Sequence, residues 1–144
     1  MKDNMVTLFE KTVKKYPKTL CVIFDNNKIT YNEINIKINR FSRYILEQIN
    51  NKKMIIPIII DHSLNMIIGL YAILKCGCAY VPLSPDYPVK RIDMLLKKLD
   101  SNFIVTSNSI YNNKNVLKKM KPLFIDNNYN EFNKKNLNIV IDNK

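Results

Sequence analysis

Ile73-Leu74-Lys75-Cys76-Gly77-Cys78-Ala79-Tyr80-Val81-Pro82-Leu83-Ser84-Pro85-Asp86-Tyr87-Pro88-Val89-Lys90-Arg91-Ile92 carries the chain from the end of one helix through a strand and a turn into a second helix. Gly77 tolerates the left-handed backbone that stops a helix. Ala79–Leu83 is apolar and reads as a strand, and Ser84-Pro85-Asp86-Tyr87 is turn chemistry. Pro88 stands where the first helical residue needs no N–H, and Val89, Ile92, Leu96 and Leu99 then stripe one face of a helix. Before Gly77, Leu64, Met66, Ile67, Ile68, Leu70, Tyr71, Ile73 and Leu74 point in nearly all directions, so that helix must be covered on more than one side.

Working outward, residues 54–60 are continuously apolar, as in a strand buried on both faces of a parallel sheet, and Ser63 is placed to cap the helix that follows. Val6, Phe9, Val13 and Tyr16 recur at helical spacing, with Thr7 and Glu10 as a candidate capping box and Pro17 as the stop. Residues 19–24 and 28–31 read as a hairpin around Asp25-Asn26-Asn27. Thr30 with Glu33 opens an amphipathic helix whose stripe is Ile34, Ile38, Phe41, Ile45 and Ile49, leaving Asn35, Asn39, Arg43 and Gln48 on its polar side. Residues 103–106 form the next strand. Strand and helix thus alternate as in βαβ crossovers, which predicts an α/β fold with a mainly parallel sheet and flanking helices. Beyond Ser107 the pattern weakens: residues 112–115 read as loop, 116–120 as a short helix, 123–125 as a strand, Asn127 to Asn136 as a mobile polar stretch, and 137–141 as a last apolar run.

The 144 residues suffice for one domain with its own core, and 47% hydrophobic with 24% charged residues is ordinary globular composition. The formal charge of +11 comes almost wholly from lysines scattered as pairs, with Arg40, Arg43 and Arg91 the only arginines. Bidentate phosphate and base recognition favours arginine, so the charge reads as a solvated surface and neither nucleic acid nor membrane is an expected partner. The apolar run at 54–60 is far shorter than the ~20 residues that span a bilayer. Cys21, Cys76 and Cys78 make an odd count without a disulfide framework and no apolar signal segment opens the chain, so a reducing cytoplasm is expected.

The opening stretch closely resembles the early signature of the amino-acid adenylation (AMP-binding) domains of nonribosomal peptide synthetases, where Leu-Lys-(small)-Gly-(small)-Ala-Tyr-Val-Pro precedes a Pro-x-Tyr-Pro turn and an Arg-Ile pair. Leu8-Phe9-Glu10 and Tyr16-Pro17 are similar to that family's first helix. Ile29-Thr30-Tyr31-Asn32-Glu33-Ile34-Asn35 and Asn39-Arg40-Phe41-Ser42-Arg43 fall in the right order for its next two motifs. Departures are Cys76 and Cys78 for small residues, His62 for Arg, and Asn65 and Lys90 for Glu. Lys90 opposes the helix dipole in a first turn, at a cost of about 0.5 kcal/mol. The resemblance implies that residues 1–144 form a partial adenylation domain, the N-terminal subdomain of the adenylate-forming fold, with 107–144 a weakly ordered tail carrying candidate edge strands.

The resemblance further implies an enzyme that activates an amino acid with ATP and Mg to an aminoacyl-adenylate and loads it on a carrier protein. It also implies that the early motifs are structural and that the phosphate loop, ribose contact, amino-acid pocket and C-terminal lysine lie in later segments. The run at 137–141 is then the strand leading toward the phosphate loop. This chain is therefore expected to be inactive alone, whether a gene remnant or half of a split enzyme whose other half is its partner. A non-enzymatic interaction or scaffold domain and a fragment of an acyl-CoA ligase are the alternatives.

Local chemistry agrees with a structural part. Gly69 and Gly77 are the only glycines, and both belong to a helix, so no phosphate cradle is spelled out. Asp61-His62-Ser63 holds the residue types of a triad, but consecutive residues leaving a strand point in alternating directions. Cys76, Cys78 and His62 lack both a zinc-like spacing and a fourth ligand. Asp86 is expected to bond backbone N–H groups at the next helix start. No catalytic, cofactor-binding or metal-ligating residue is assigned within the chain.

Overall fold

The computed structural model describes residues 4–24 and 27–139. Its elements run α1 (Met5–Lys15), β1 (Leu20–Phe24), β2 (Asn27–Thr30), α2 (Tyr31–Ile49), β3 (Ile55–Ile59), α3 (Leu64–Lys75), β4 (Ala79–Leu83), α4 (Val89–Leu99), β5 (Phe103–Thr106), α5 (Asn108–Asn113), a 3₁₀ turn (Asn115–Leu117) and β6 (Lys121–Phe124). β1 and β2 pair antiparallel, while β4-β3-β5-β6 form an all-parallel sheet.

Side chains alternate across this sheet, as the pleat requires. Ile56 and Ile58 of β3, Ile60 just beyond it and Val105 of β5 enter a core shared with α1, α2 and α3. Ile59 and Ile104 enter a second core with Leu83, Ile92 and Leu96 and, from beyond β5, Ile110 and Leu117. α3 and α4 thus lie on opposite faces. Because β4 lies on one side of β3 and β5 on the other, the two crossovers share one hand, and the strand order reverses at β3.

Pro57 sits in the central strand, a position that usually excludes proline. The Ala79 N–H donates to the Met54 carbonyl, so alternation of main-chain groups turns Pro57 toward β5. There the ladder pairs only Ile58 with Val105 and Ile59 with Thr106, so the missing N–H breaks no bond.

Two expected caps are realised and others are replaced. Thr30 and Glu33 form a reciprocal capping box on α2, and Gly77 adopts a left-handed φ of 76°. α1 is capped by Asn4 with Thr7, not by Thr7 with Glu10, because the helix begins at Met5 and Thr7 is already its third residue. Ser63 occupies the N-cap of α3 but makes no cap bond; its hydroxyl donates to the Asp61 carbonyl at 3.1 Å. Pro88 is the N-cap of α4 rather than its first residue, and among the described residues no side chain caps that helix. Asp86 instead donates its own N–H to Ser84 Oγ at 3.2 Å.

Of the hairpin turn expected over Asp25-Asn26-Asn27, residues 25 and 26 lie outside the described residues, and Asn27 opens β2. In the segment after Ser107, α5 takes in residues 112 and 113 of the expected loop at 112–115, since the Ser107 hydroxyl accepts the Ile110 N–H and starts a helix, and Lys114 remains irregular. Only the 3₁₀ turn forms within 116–120, and β6 begins at Lys121 as the sheet's edge strand. Of the apolar run 137–141, residues 137–139 pair with no strand, and 140 and 141 lie outside the described residues.

Candidate functional site

The chain's polar chemistry converges on Lys75, the last residue of α3. Its side chain is 1% exposed. The ammonium lies 2.6 Å from Glu10 Oε2 of α1, 2.7 Å from Asn35 Oδ1 and 2.6 Å from Asn39 Oδ1 of α2, and 3.3 Å from Asn136 Oδ1. Burial pushes Lys75 below the ordinary lysine range, and the hydrogen bond and charge of Glu10 act against that shift. A cation so deeply placed is tolerable because a carboxylate and amide oxygens replace its water.

α2 is accordingly buried on two sides. Asn35 and Asn39, expected on the solvent face, are 7% and 0% exposed. What covers them is the stretch Asn127 to Asn136, expected to be mobile but packed along the helix. Asn39 Nδ2 donates to the Lys134 carbonyl at 2.9 Å, and Asn35 Nδ2 and Asn39 Nδ2 donate to Asn136 Oδ1 at 2.9 and 3.0 Å. Arg40 Nε donates to the Phe132 carbonyl at 3.2 Å, and Arg43 bonds the carbonyls of Asn133, Lys135 and Asn136. The Tyr129 ring lies tilted against Phe41 and Tyr44, with centroids 5.4 and 4.4 Å away, and its hydroxyl donates to the Phe124 carbonyl. Burial and the neighbouring Tyr44 raise the Tyr129 hydroxyl's pKa. Between α2, α3 and this segment lies a cavity of about 440 Å³ whose lining includes Glu33, Lys37, Arg40, Phe41, Asn65 and Tyr129.

Sequence reasoning missed the Lys75 cluster because charged and amide side chains on helices are read as solvent-facing. A usable signal was Asn35 and Asn39 one turn apart on α2, with Arg40 and Arg43 beside them, opposite a lone lysine ending an apolar helix.

The other candidates stay apart. Asp61 and His62 are exposed and Ser63 is half-buried at the carboxyl end of β3; among the described residues, no hydrogen bond joins His62 to either neighbour. Asp61 and His62, without Ser63, line a cavity of about 310 Å³ with Met66, Ser84, Asp86 and Tyr87, at the ends of β3 and β4. Arg91 places its guanidinium 4.0 Å from the Tyr87 ring centre, so the Tyr-Pro and Arg-Ile parts of the signature hold each other across the turn. Among the described residues, no three His, Cys, Asp or Glu side chains are grouped as a metal site.

Cys76 is buried against Ser42, its sulfur 3.2 Å from both the hydroxyl and the carbonyl oxygen of that residue. Burial pushes this thiol to about 12, with the Ser42 hydrogen bond opposing. Burial also raises Cys21 and Cys78. Thiolate is the reactive form, so Cys76 is expected to carry roughly 1,000-fold less of it than a free thiol. Iodoacetamide at pH 8 should therefore label half-buried Cys21 first and Cys76 only after urea is added; mass spectrometry showing Cys76 labelled first in the folded protein would contradict its placement.

The family model described as AMP-binding enzyme matches residues 9–140. The chain belongs to the AMP-binding enzyme family. It is 37% identical to gramicidin S synthase 2 of Brevibacillus brevis over 105 residues, which is 73% of this chain and 2% of that protein. Its fold superposes on the nonribosomal peptide synthetase FmoA3 in its alpha-methyl-L-serine-AMP bound form with a TM-score of 0.86 at 18% identity, covering 94% of this chain and 15% of that one. With the N-terminal subdomain of Klebsiella oxytoca NpsA the TM-score is 0.79 at 18% identity, over 94% of this chain and 34% of that one. The chain is thus an α/β fragment from the N-terminal part of a nonribosomal peptide synthetase adenylation domain, and it spans only a few per cent of the curated relatives it matches.

Within this AMP-binding fragment, separate motif segments meet in space. Glu10, Asn35, Asn39 and Lys75 come from four different stretches of the resemblance and touch at one ammonium.

Proposed function

We propose that this chain is the scaffold of a cytoplasmic domain that activates an amino acid with Mg-ATP to an aminoacyl-adenylate and passes it to a carrier protein. The observation that carries the reading is the family match together with similarity to peptide synthases, which favours an amino acid over the acyl substrates of CoA ligases. In this reading the residues of the chain supply no catalytic, nucleotide-binding or metal-ligating group. Charge stabilisation at a polyphosphate needs preorganised donors. The only two glycines are Gly69 within α3 and Gly77 at its end, which leaves no glycine-rich cradle in these 144 residues.

Amino-acid-dependent exchange of pyrophosphate into ATP tests both halves of the proposal. The 144-residue chain alone is expected to give none, and exchange abolished by a substitution inside it would sink the scaffold reading. Fused to the N-terminus of the remaining part of a peptide-synthetase adenylation domain, as a replacement for the corresponding segment, the chain should restore amino-acid-dependent exchange. A folded chimera that stays silent counts against an activating role and favours an interaction domain.

A further inference from the structure

We propose that Lys75 is a positioning residue that latches the segment 129–136 onto α2, acting through the side chains of Asn35 and Asn39. The inference concerns the conformation of this chain and stands independently of the reaction proposed above. An ammonium has three protons to donate. Around Lys75 there are four acceptors, and the three close ones, at 2.6–2.7 Å, all belong to helices: Glu10, Asn35 and Asn39. Asn136 of the returning segment is the fourth, at 3.3 Å. Its direct bond to the cation is therefore the weakest of the set.

The stronger hold is indirect. An amide presents an acceptor on one side and donors on the other, so donating to Oδ1 of Asn35 and Asn39 turns their Nδ2 groups outward. The outward Nδ2 groups are the ones that meet Asn136 Oδ1 and the Lys134 carbonyl, at 2.9–3.0 Å. In these contacts the returning segment offers only oxygen acceptors. With the cation gone, both amides lose the reason to face that way, and a flipped amide would set oxygen against oxygen. Lys75 thus sets the polarity of the α2 face on which the segment lies. The exposed position of Asn136 makes the segment the releasable arm, whereas Asn35 and Asn39 on α2 are enclosed and Glu10 on α1 is half-buried.

Hydrogen exchange on the 144-residue chain tests this. Lys75→Met keeps the stem's volume and removes the charge; the hydrogen-bonded amides of the segment, those of Asn130, Phe132 and Lys135, are expected to exchange at least tenfold faster while those of β3 and β5 keep their protection. Asn136→Ala, at the surface, should produce the same regional change, and the double variant should add little to either single one. The side-chain amide protons of Asn39, protected in the native chain, should exchange freely in Lys75→Met. Unchanged exchange at 129–136 in Lys75→Met would overturn the latch, as would an equal rise in all elements, which would make Lys75 a general core residue. If Lys75→Met does not fold, Asn136→Ala decides alone: a rise confined to 129–136 supports the latch, and no rise overturns it.

Discussion

Gly69→Val is expected to lower the unfolding free energy by about 3 kcal/mol, read as a fall in the urea midpoint at unchanged slope. Gly69 lies in the middle of α3, where glycine costs helix stability and would ordinarily be replaced with profit. Here the sheet forbids it. A Cβ at this position would stand 2.6 Å from Ile58 Cδ1 and 3.3 Å from Ile125 Cδ1, and Ile58 is fully buried, so its end must shift within the core. Alanine gains about 1 kcal/mol in helix propensity and so offsets part of the clash; valine adds two more methyl groups and gains less. A valine variant as stable as the native chain would mean that α3 does not lie this close to β3.

Phe41→Ala should cost about 3–4 kcal/mol, as for other large-to-small changes at a fully packed aromatic. Phe41 is 2% exposed and joins the sheet-side core to the ring of Tyr129 on the returning segment. The sharper test is a double-mutant cycle with Tyr129→Ala. Rings 5.4 Å apart should couple by about 0.5–1.5 kcal/mol, whereas a segment free of α2 would give additive losses.

These expectations concern contacts that the linear pattern reveals to different degrees. The α2 stripe Ile34, Ile38, Phe41, Ile45 and Ile49 is buried as its spacing demands, each residue 0–2% exposed. The opposite side of the same helix offered only the spacing of two amides one turn apart. Asn35 and Asn39 carry no mark of burial, since the same amides serve equally well in water or against main-chain carbonyls. The cap of α1 failed for a related reason: Asn4 and Thr7 both offer side-chain oxygens near the start, and only the location of the first turn decides which is used. Lys75 was legible as part of a motif but not as a buried cation, because partners 36 to 65 residues away make it tolerable.

The sequence by itself determined the α/β alternation, the family, the stop at Gly77 and the box of Thr30 with Glu33. All of these rest on local backbone preference, short-range hydrogen bonds or periodicity, which neighbouring residues suffice to specify. Only the tertiary structure decided the order β4-β3-β5-β6, the return of 129–136 across α2 and the enclosure of Lys75. The physical reason is that each of these depends on which distant groups meet, and a polar side chain reveals whether it is satisfied by water or by protein only once its partner is in place.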